Sequence, residues 1–288
     1  MKQSHLDSLL RCVALPIHSR DIEENLESTF RLWSDARFSP ATGNLTDLPH
    51  LMVVVNCASS ETLAEIEMIY RRDPSLARCF SNFSVHSAEP RGDRDIYARN
   101  ESRPVGVFGN KAGPNFLFQS TMQIAAVHGG FTLQIELDCI PVEAGRLEKT
   151  AQVIAGNSRA WVIGSLFASS RGLGRSAQAH LNGNACYNTG DAKFIAFLND
   201  VWMADLVALA AKHPNMAYDC WWANELFQAN ALTGNDSWSK MQTFASFFHT
   251  DPFIVNLLSD ECRLHEFVDG FEKFVNLGRP PIFFTGPQ

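Results

Sequence analysis

Apolar positions in the first third of the chain fall into short unbroken runs, each followed by a stretch in which they recur at helical spacing. Arg11 to Ile17 (RCVALPI) contains Pro16 and leads into an acidic segment from Asp21 to Trp33, with Ile22, Leu26, Phe30 and Trp33 on one face. Leu51 to Val55 (LMVVV) repeats the pattern: Asn56 bounds the run, Ser59 and Ser60 are candidate caps, and Leu63, Ile66, Ile69 and Tyr70 share a helical face. Continuous apolar runs are strands buried on both sides, and their alternation with helices predicts a parallel sheet covered on both faces. The predicted class is α/β.

Farther along, the polar segment from Ser87 to Pro104 reads as a loop. Gly113-Pro114-Asn115 opens a helix from Phe116 to His128, stopped by Gly129 and Gly130. The next strand, Phe131 to Ile135 (FTLQI), runs directly into Glu136-Leu137-Asp138. A helix over Leu147 to Ile154, a strand over Trp161 to Gly164, a Gly/Ser/Arg loop over Ala168 to Gln178 and a helix from Phe194 to Ala211 follow. The last quarter, with Trp221, Trp222, Phe244, Phe247, Phe248 and Phe253, reads as helical and aromatic, and no linker sets it apart. One domain over 1–288 is expected.

Composition narrows the function. The 288 residues are 45% hydrophobic and 19% charged, which supports a large core and excludes a mainly unfolded chain. A net charge of -7 removes the positive field that attracts nucleic acid, so no nucleic-acid partner is expected. The opening MKQSHLDSLL has no apolar signal region, which predicts a cytoplasmic protein. The seven Cys are widely spaced and never form CxxC, so they are expected to be reduced core residues.

Glu136 and Asp138 stand where a buried strand ends. Open α/β sheets bind ligands beyond their strand carboxyl ends, and two acids one residue apart there suit a hard divalent cation that also holds a diphosphate. The second acidic pair, Asp93 and Asp95, falls in a charged loop and reads as a solvated face. His180-Leu181-Asn182-Gly183-Asn184 offers two amides around a glycine, suited to sugar hydroxyls or else to a hairpin turn.

Together these segments resemble a GT-A type glycosyltransferase, a family that uses nucleoside diphosphate sugars. The resemblance is carried by VALPIH, VVVN, KAGPNFLF, QIELDCIPV and, roughly forty residues later, AHLNGNACY, over about Cys12 to Asp219. It implies a Rossmann-like, mostly parallel sheet with a nucleotide-sugar half (1–138) and an acceptor half (139–288). It also implies a sugar transferred to a hydroxyl of a glycan or lipid-linked acceptor, with Mn or Mg as cofactor. The chain departs from the family pattern in having Glu136 where the first Asp of the DxD motif is expected.

By position, the resemblance places Pro16, His18 and Asn56 in the nucleotide pocket. Lys111 and Asn115 flank a helix N-terminus whose free N–H groups and dipole would face a diphosphate or ribose. Asp138 and Glu136 would hold the metal, with His249 as a third ligand. Asn182, Gly183, Asn184 and Trp221 would contact substrate. Candidate bases are Asp219, Asp191 and Glu225; Asp219 is preferred because neighbouring aromatics would stack on a sugar and exclude water. The tail Pro280 to Phe284 (PPIFF) would give peripheral membrane contact.

Two other readings stay open. Gly172-Leu173-Gly174-Arg175-Ser176-Ala177 matches GxGxxG/A, with Asp191 at dinucleotide spacing, as in an NAD(P)-dependent oxidoreductase. A non-catalytic carbohydrate-binding protein on the same fold is the other.

Overall fold

The computed structural model describes residues 9–98, 103–168, 179–221, 246–251, 254–256 and 283–285. Strand β1 (Leu10–Ile17) lies between β2 (His50–Asn56) and β4 (Phe131–Gln134), with β3 (Phe83–Ala88) outside β2. These four strands are parallel. Beyond β4 come β7 (Ala179–Tyr187), which is antiparallel to its neighbours, then β6 (Val162–Ala168) and β8 (Phe248–Thr250). The expected α/β class with a mostly parallel sheet is what the chain adopts.

Every residue of β2 is buried, as a continuous apolar run between two helical layers requires. Pro16 sits inside β1 without breaking the sheet. Ala14 turns its carbonyl toward β4, where it accepts Ile135 N–H at 3.0 Å. Pro16, two residues on, faces the same side after β4 has ended, so its missing N–H costs no ladder bond.

One face carries α1 (Glu27–Ser34), α2 (Ser60–Arg71) and the short α3 (Pro74–Ala77); on it Phe30, Trp33, Ile66 and Leu76 pack on Val13, Leu15 and Val53. The opposite face carries α4 (Ala112–Ala125), whose Leu117 and Ala125 pack on Ala14, Met52 and Val54. Helix α5 (Arg146–Gly156) adds Leu147, Val153 and Ile154 to the first core. A third cluster, built on Phe118, Tyr187, Phe197, Trp202, Tyr218 and Trp221, joins α4 to a helical stretch from Ala192 to Leu209.

Some elements differ from the sequence reading. Ser87 belongs to β3, whose alternating FSVHSA is that of a half-exposed edge strand and lacks a continuous apolar run. Helix α4 starts at Ala112, one turn early. Asn182 to Asn184 lie within β7, so the segment is not a hairpin turn. In the last quarter the described pieces beyond Trp221 are strands: β8, β9 (Ile254–Asn256) and β10 (Phe283–Thr285). Strand β10 pairs with β9 and with β5 (Cys139–Pro141), so Thr285 stands opposite Cys139. Cys57 is exposed with φ +45, unlike the buried Cys12, Cys79, Cys139 and Cys186. Among the described residues no helix is long and apolar enough to cross a membrane.

Candidate active site at the carboxyl edge of the sheet

The chain leaves β1 toward β2 on one side and β4 on the other, so a crevice opens beyond their carboxyl ends. Glu136 to Cys139 form a turn at this point, closed by Cys139 N–H donating to Glu136 O at 3.0 Å. Thr29 of α1 supports the turn from below by donating to Leu137 O at 3.3 Å. Strand β7 runs antiparallel to β4, so its early residues arrive at the same edge. Asn184 Oδ1 accepts Glu136 N–H at 2.6 Å, and Asn184 Nδ2 donates to Glu136 Oε2 at 3.4 Å. Asn182 Oδ1 in turn accepts Asn184 N–H at 2.8 Å. The two motifs that stand apart in sequence are one hydrogen-bonded unit.

Asp138 is the electrostatic anomaly of the edge. Its Oδ1 is buried without a hydrogen-bond partner, and burial pushes its carboxyl up to about 6 from the usual range. A carboxylate held this way is incomplete until a cation or proton arrives. With Glu136 in the same turn, the donor set is hard oxygen, as Mg or Mn prefers. Among the described residues no third His, Cys, Asp or Glu completes a metal-binding group, so the remaining positions fit water and phosphate oxygens.

Asp219 belongs to the same neighbourhood. Burial, first of all, holds the Tyr187 and Tyr218 phenols far above their ordinary range, and the charges of both Glu136 and Asp219 add to it. Both carboxylates therefore lie close to the same two hydroxyls. Asp219 sits inside a helical turn whose capping carbonyl is Ala217 O, which accepts Cys220 N–H at 3.1 Å and Trp221 N–H at 3.2 Å. The cap is Ala217, not Asp219. Lys111 lies near Cys220: burial raises that thiol, and the lysine charge opposes part of the rise.

At the ends of β1 and β2 the predicted pocket residues bond to one another. His18 caps a short helical turn, accepting Arg20 N–H on Nδ1 at 3.1 Å. Its ring meets Tyr97 edge-on with centroids 4.7 Å apart. Asn56 accepts Ser19 N–H at 3.0 Å and donates to Asp95 at 3.1 Å, so Asp95 is partnered within the fold and is not part of a solvated face. Pro16 lies one turn of chain below, within β1.

Five expectations require correction. The α4 N-terminus is not an open anion site: Gly113 N–H already donates to Ile96 O at 2.9 Å, Pro114 has no N–H, and a Cβ at Gly113 would overlap the Tyr97 ring. Asn115 is committed to the chain itself, accepting Tyr218 N–H at 2.8 Å and donating to Met216 O at 3.1 Å. Trp221 is 0% exposed and stacks on Trp202 at 5.5 Å, which leaves no face for a sugar. Asp191 lies at the opposite edge of the sheet, beyond Tyr187, where it caps a helix by accepting Lys193 N–H and also accepts Trp161 Nε1–H. His249, opposite Ile163 on the outermost strand, is three strand spacings from β4, roughly 14 Å, and is not brought to the acidic turn.

Glu225, Arg171, Arg175 and the Gly172 to Ala177 segment lie outside the described residues. So does most of the Pro280 to Phe284 tail, of which Phe283 and Phe284 belong to β10. Sequence reasoning missed Gln134, Tyr218 and Tyr97. The available signal was a glutamine inside an apolar strand: fully buried, it needs partners, and the site supplies them.

No protein-family model matches the chain, and a search of curated proteins finds no match. Among solved structures, the crystal structure of mouse xyloside xylosyltransferase 1 in its apo form aligns with 96% of this chain and 97% of that one. The TM-score is 0.50 and the sequence identity 12%. What this shared course of the backbone establishes is the fold: the chain has an α/β fold of the GT-A type.

Proposed function

We propose that the protein is a glycosyltransferase that moves a sugar from a nucleoside diphosphate sugar to a hydroxyl of a glycan or lipid-linked acceptor. The observation that carries this reading is the buried, unpartnered Asp138 oxygen beside Glu136 at the end of β4. A transferase fold gives that carboxylate a purpose, whereas a structural turn would only bear its cost. Asp138 and Glu136 are the residues that would hold Mn or Mg. When bound, the cation would neutralise charge gathering on the leaving diphosphate.

In this reading Asn184 and Asn182 fix the acidic turn and present the floor on which the donor sugar rests. Asp219, on the other flank, accepts the proton of the acceptor hydroxyl as its oxygen bonds to the anomeric carbon. The bond to the diphosphate breaks in the same step, and its electron pair leaves on the diphosphate oxygen. This is the inverting form. A retaining enzyme needs no base at that place.

A thermal-shift series with UDP, GDP and NAD, each with and without Mn, tests the assignment, because a ligand that binds only the folded state raises the melting temperature. Stabilisation by a nucleoside diphosphate that requires Mn and is lost in Asp138→Asn is the expected result. Stabilisation by NAD alone would replace the reading with the oxidoreductase one, which nothing at the Asp191 end favours. Tight nucleotide-sugar binding without turnover on any acceptor would leave a carbohydrate-binding protein.

A further inference from the structure

Gln134 is the last residue of β4, two positions before Glu136, and is 0% exposed. Its Nε2 donates to Gly183 O at 3.0 Å and to the Tyr218 hydroxyl at 2.8 Å. One amide thereby joins the acidic strand, the Asn-Gly-Asn strand and the segment that carries Asp219. Its Oε1 is buried with no partner, a cost that an apolar side chain of the same size would avoid.

Tyr218 is held on every side. Its ring stacks on Phe118 with centroids 3.9 Å apart, its N–H donates to Asn115 at 2.8 Å, and its carbonyl accepts Trp202 Nε1–H at 3.0 Å. Gly183 is obligatory beneath it, since a Cβ there would collide with the phenol oxygen. The bonds through Asn115 and Trp202 tie the segment to helices. Only the phenol reaches the sheet edge where Glu136 stands, and the residue that follows it in the chain is Asp219.

We propose that Gln134 and Tyr218 are positioning residues: their hydrogen bond sets the place of the Asp219 carboxylate relative to the Glu136 turn. This rests on the transferase reading above and goes beyond it, in that two residues outside the donor, metal and base contacts govern turnover.

Tyr218→Phe keeps the ring and its stack on Phe118 while removing the hydroxyl. Gln134→Met keeps the volume and serves as the second variant should the first not fold. Hydrogen exchange without any ligand reads the clamp directly: amides of 215–221 exchange at least tenfold faster in either variant, while those of β1 and β2 stay as in the parent. Equal exchange, or acceleration spread evenly over the chain, overturns the clamp. Titration with UDP or GDP in Mn, alongside transfer kinetics, reads the consequence. The expected result is nucleotide affinity within twofold of the parent, kcat lower by at least tenfold, and a double variant no worse than the worse single one, because both remove the same bond. A kcat within threefold of the parent, or single losses that multiply in the double variant, overturns the positioning role. A parent that binds neither nucleotide sinks the transferase reading instead, and the exchange result then still decides whether the clamp exists.

Discussion

Asn184 holds Glu136 from two directions, its carbonyl oxygen on the Glu136 N–H and its amide nitrogen on the Glu136 carboxylate. The side chain is 0% exposed, so neither bond competes with water and loss of the amide leaves a buried N–H without an acceptor. Asn184→Ala is therefore expected to cost about 1 to 3 kcal/mol of stability and to weaken Mn-dependent nucleotide binding. Denaturant unfolding and nucleotide titration measure the two effects. Parent-like values in both would show that the acidic turn keeps its shape without the asparagine.

Asp138→Asn separates function from stability. Removing the charge abolishes the attraction for a cation where the leaving group gathers charge, a loss of about 2 to 4 kcal/mol in transition-state stabilisation, or roughly a hundredfold or more in rate. The same change relieves a buried carboxylate that has no partner, so the metal-free protein should melt at a higher temperature. Glu136→Gln should cost less activity. Near-parent turnover in Asp138→Asn would make the motif structural.

Asp219→Asn distinguishes a base from a bystander. As the acceptor-side base its loss should leave nucleotide affinity intact while transfer falls by about 10² to 10⁴. Calorimetric titration with the nucleotide sugar and single-turnover transfer at several pH values check both halves. A rate within a few fold of the parent would remove Asp219 from the mechanism and point to retention.

Stability should fall on mild acidification for a reason located far from the site. His50 Nε2 meets the Ser84 hydroxyl at 2.6 Å, His86 Nε2 meets the same hydroxyl at 2.9 Å, and His128 stacks on His50 at 4.3 Å. Burial first, then the neighbouring imidazoles His128 and His86, pulls His50 down to about 4; burial also lowers His86 and His128. Among the described residues no carboxylate bonds to these rings. A depressed histidine favours the folded state above the unfolded value near 6.5, and that stability is lost as pH falls toward 4. Unfolding at pH 7 and pH 5 should differ by about 1 to 2 kcal/mol from this cluster, and His50→Gln should flatten the dependence. A slope unchanged in that variant would assign the pH sensitivity to other groups.

The alternation of apolar runs with helical spacing was enough to establish the parallel α/β sheet, because strands buried on both faces carry no polar positions, as in Leu51 to Val55. The ends of those strands were legible too: Asn56, Glu136 and Asp138 are polar residues set directly after apolar runs, and a sheet places such residues at one edge. Residues whose role depends on the strand order were not legible. Asp191 follows a strand just as Glu136 follows one, yet β7 is reversed, and reversal sends its end to the opposite edge. Trp221 and His249 are side chains suited to sugar and metal, but packing against Trp202 and a place on the outermost strand removed them from the site. Gln134 and Tyr218 are 84 residues apart in sequence, and each alone reads as a polar residue in an apolar setting. Only the folded chain pairs them, because a buried hydrogen bond is specified by the two surfaces that bring its partners within about 3 Å and not by either residue.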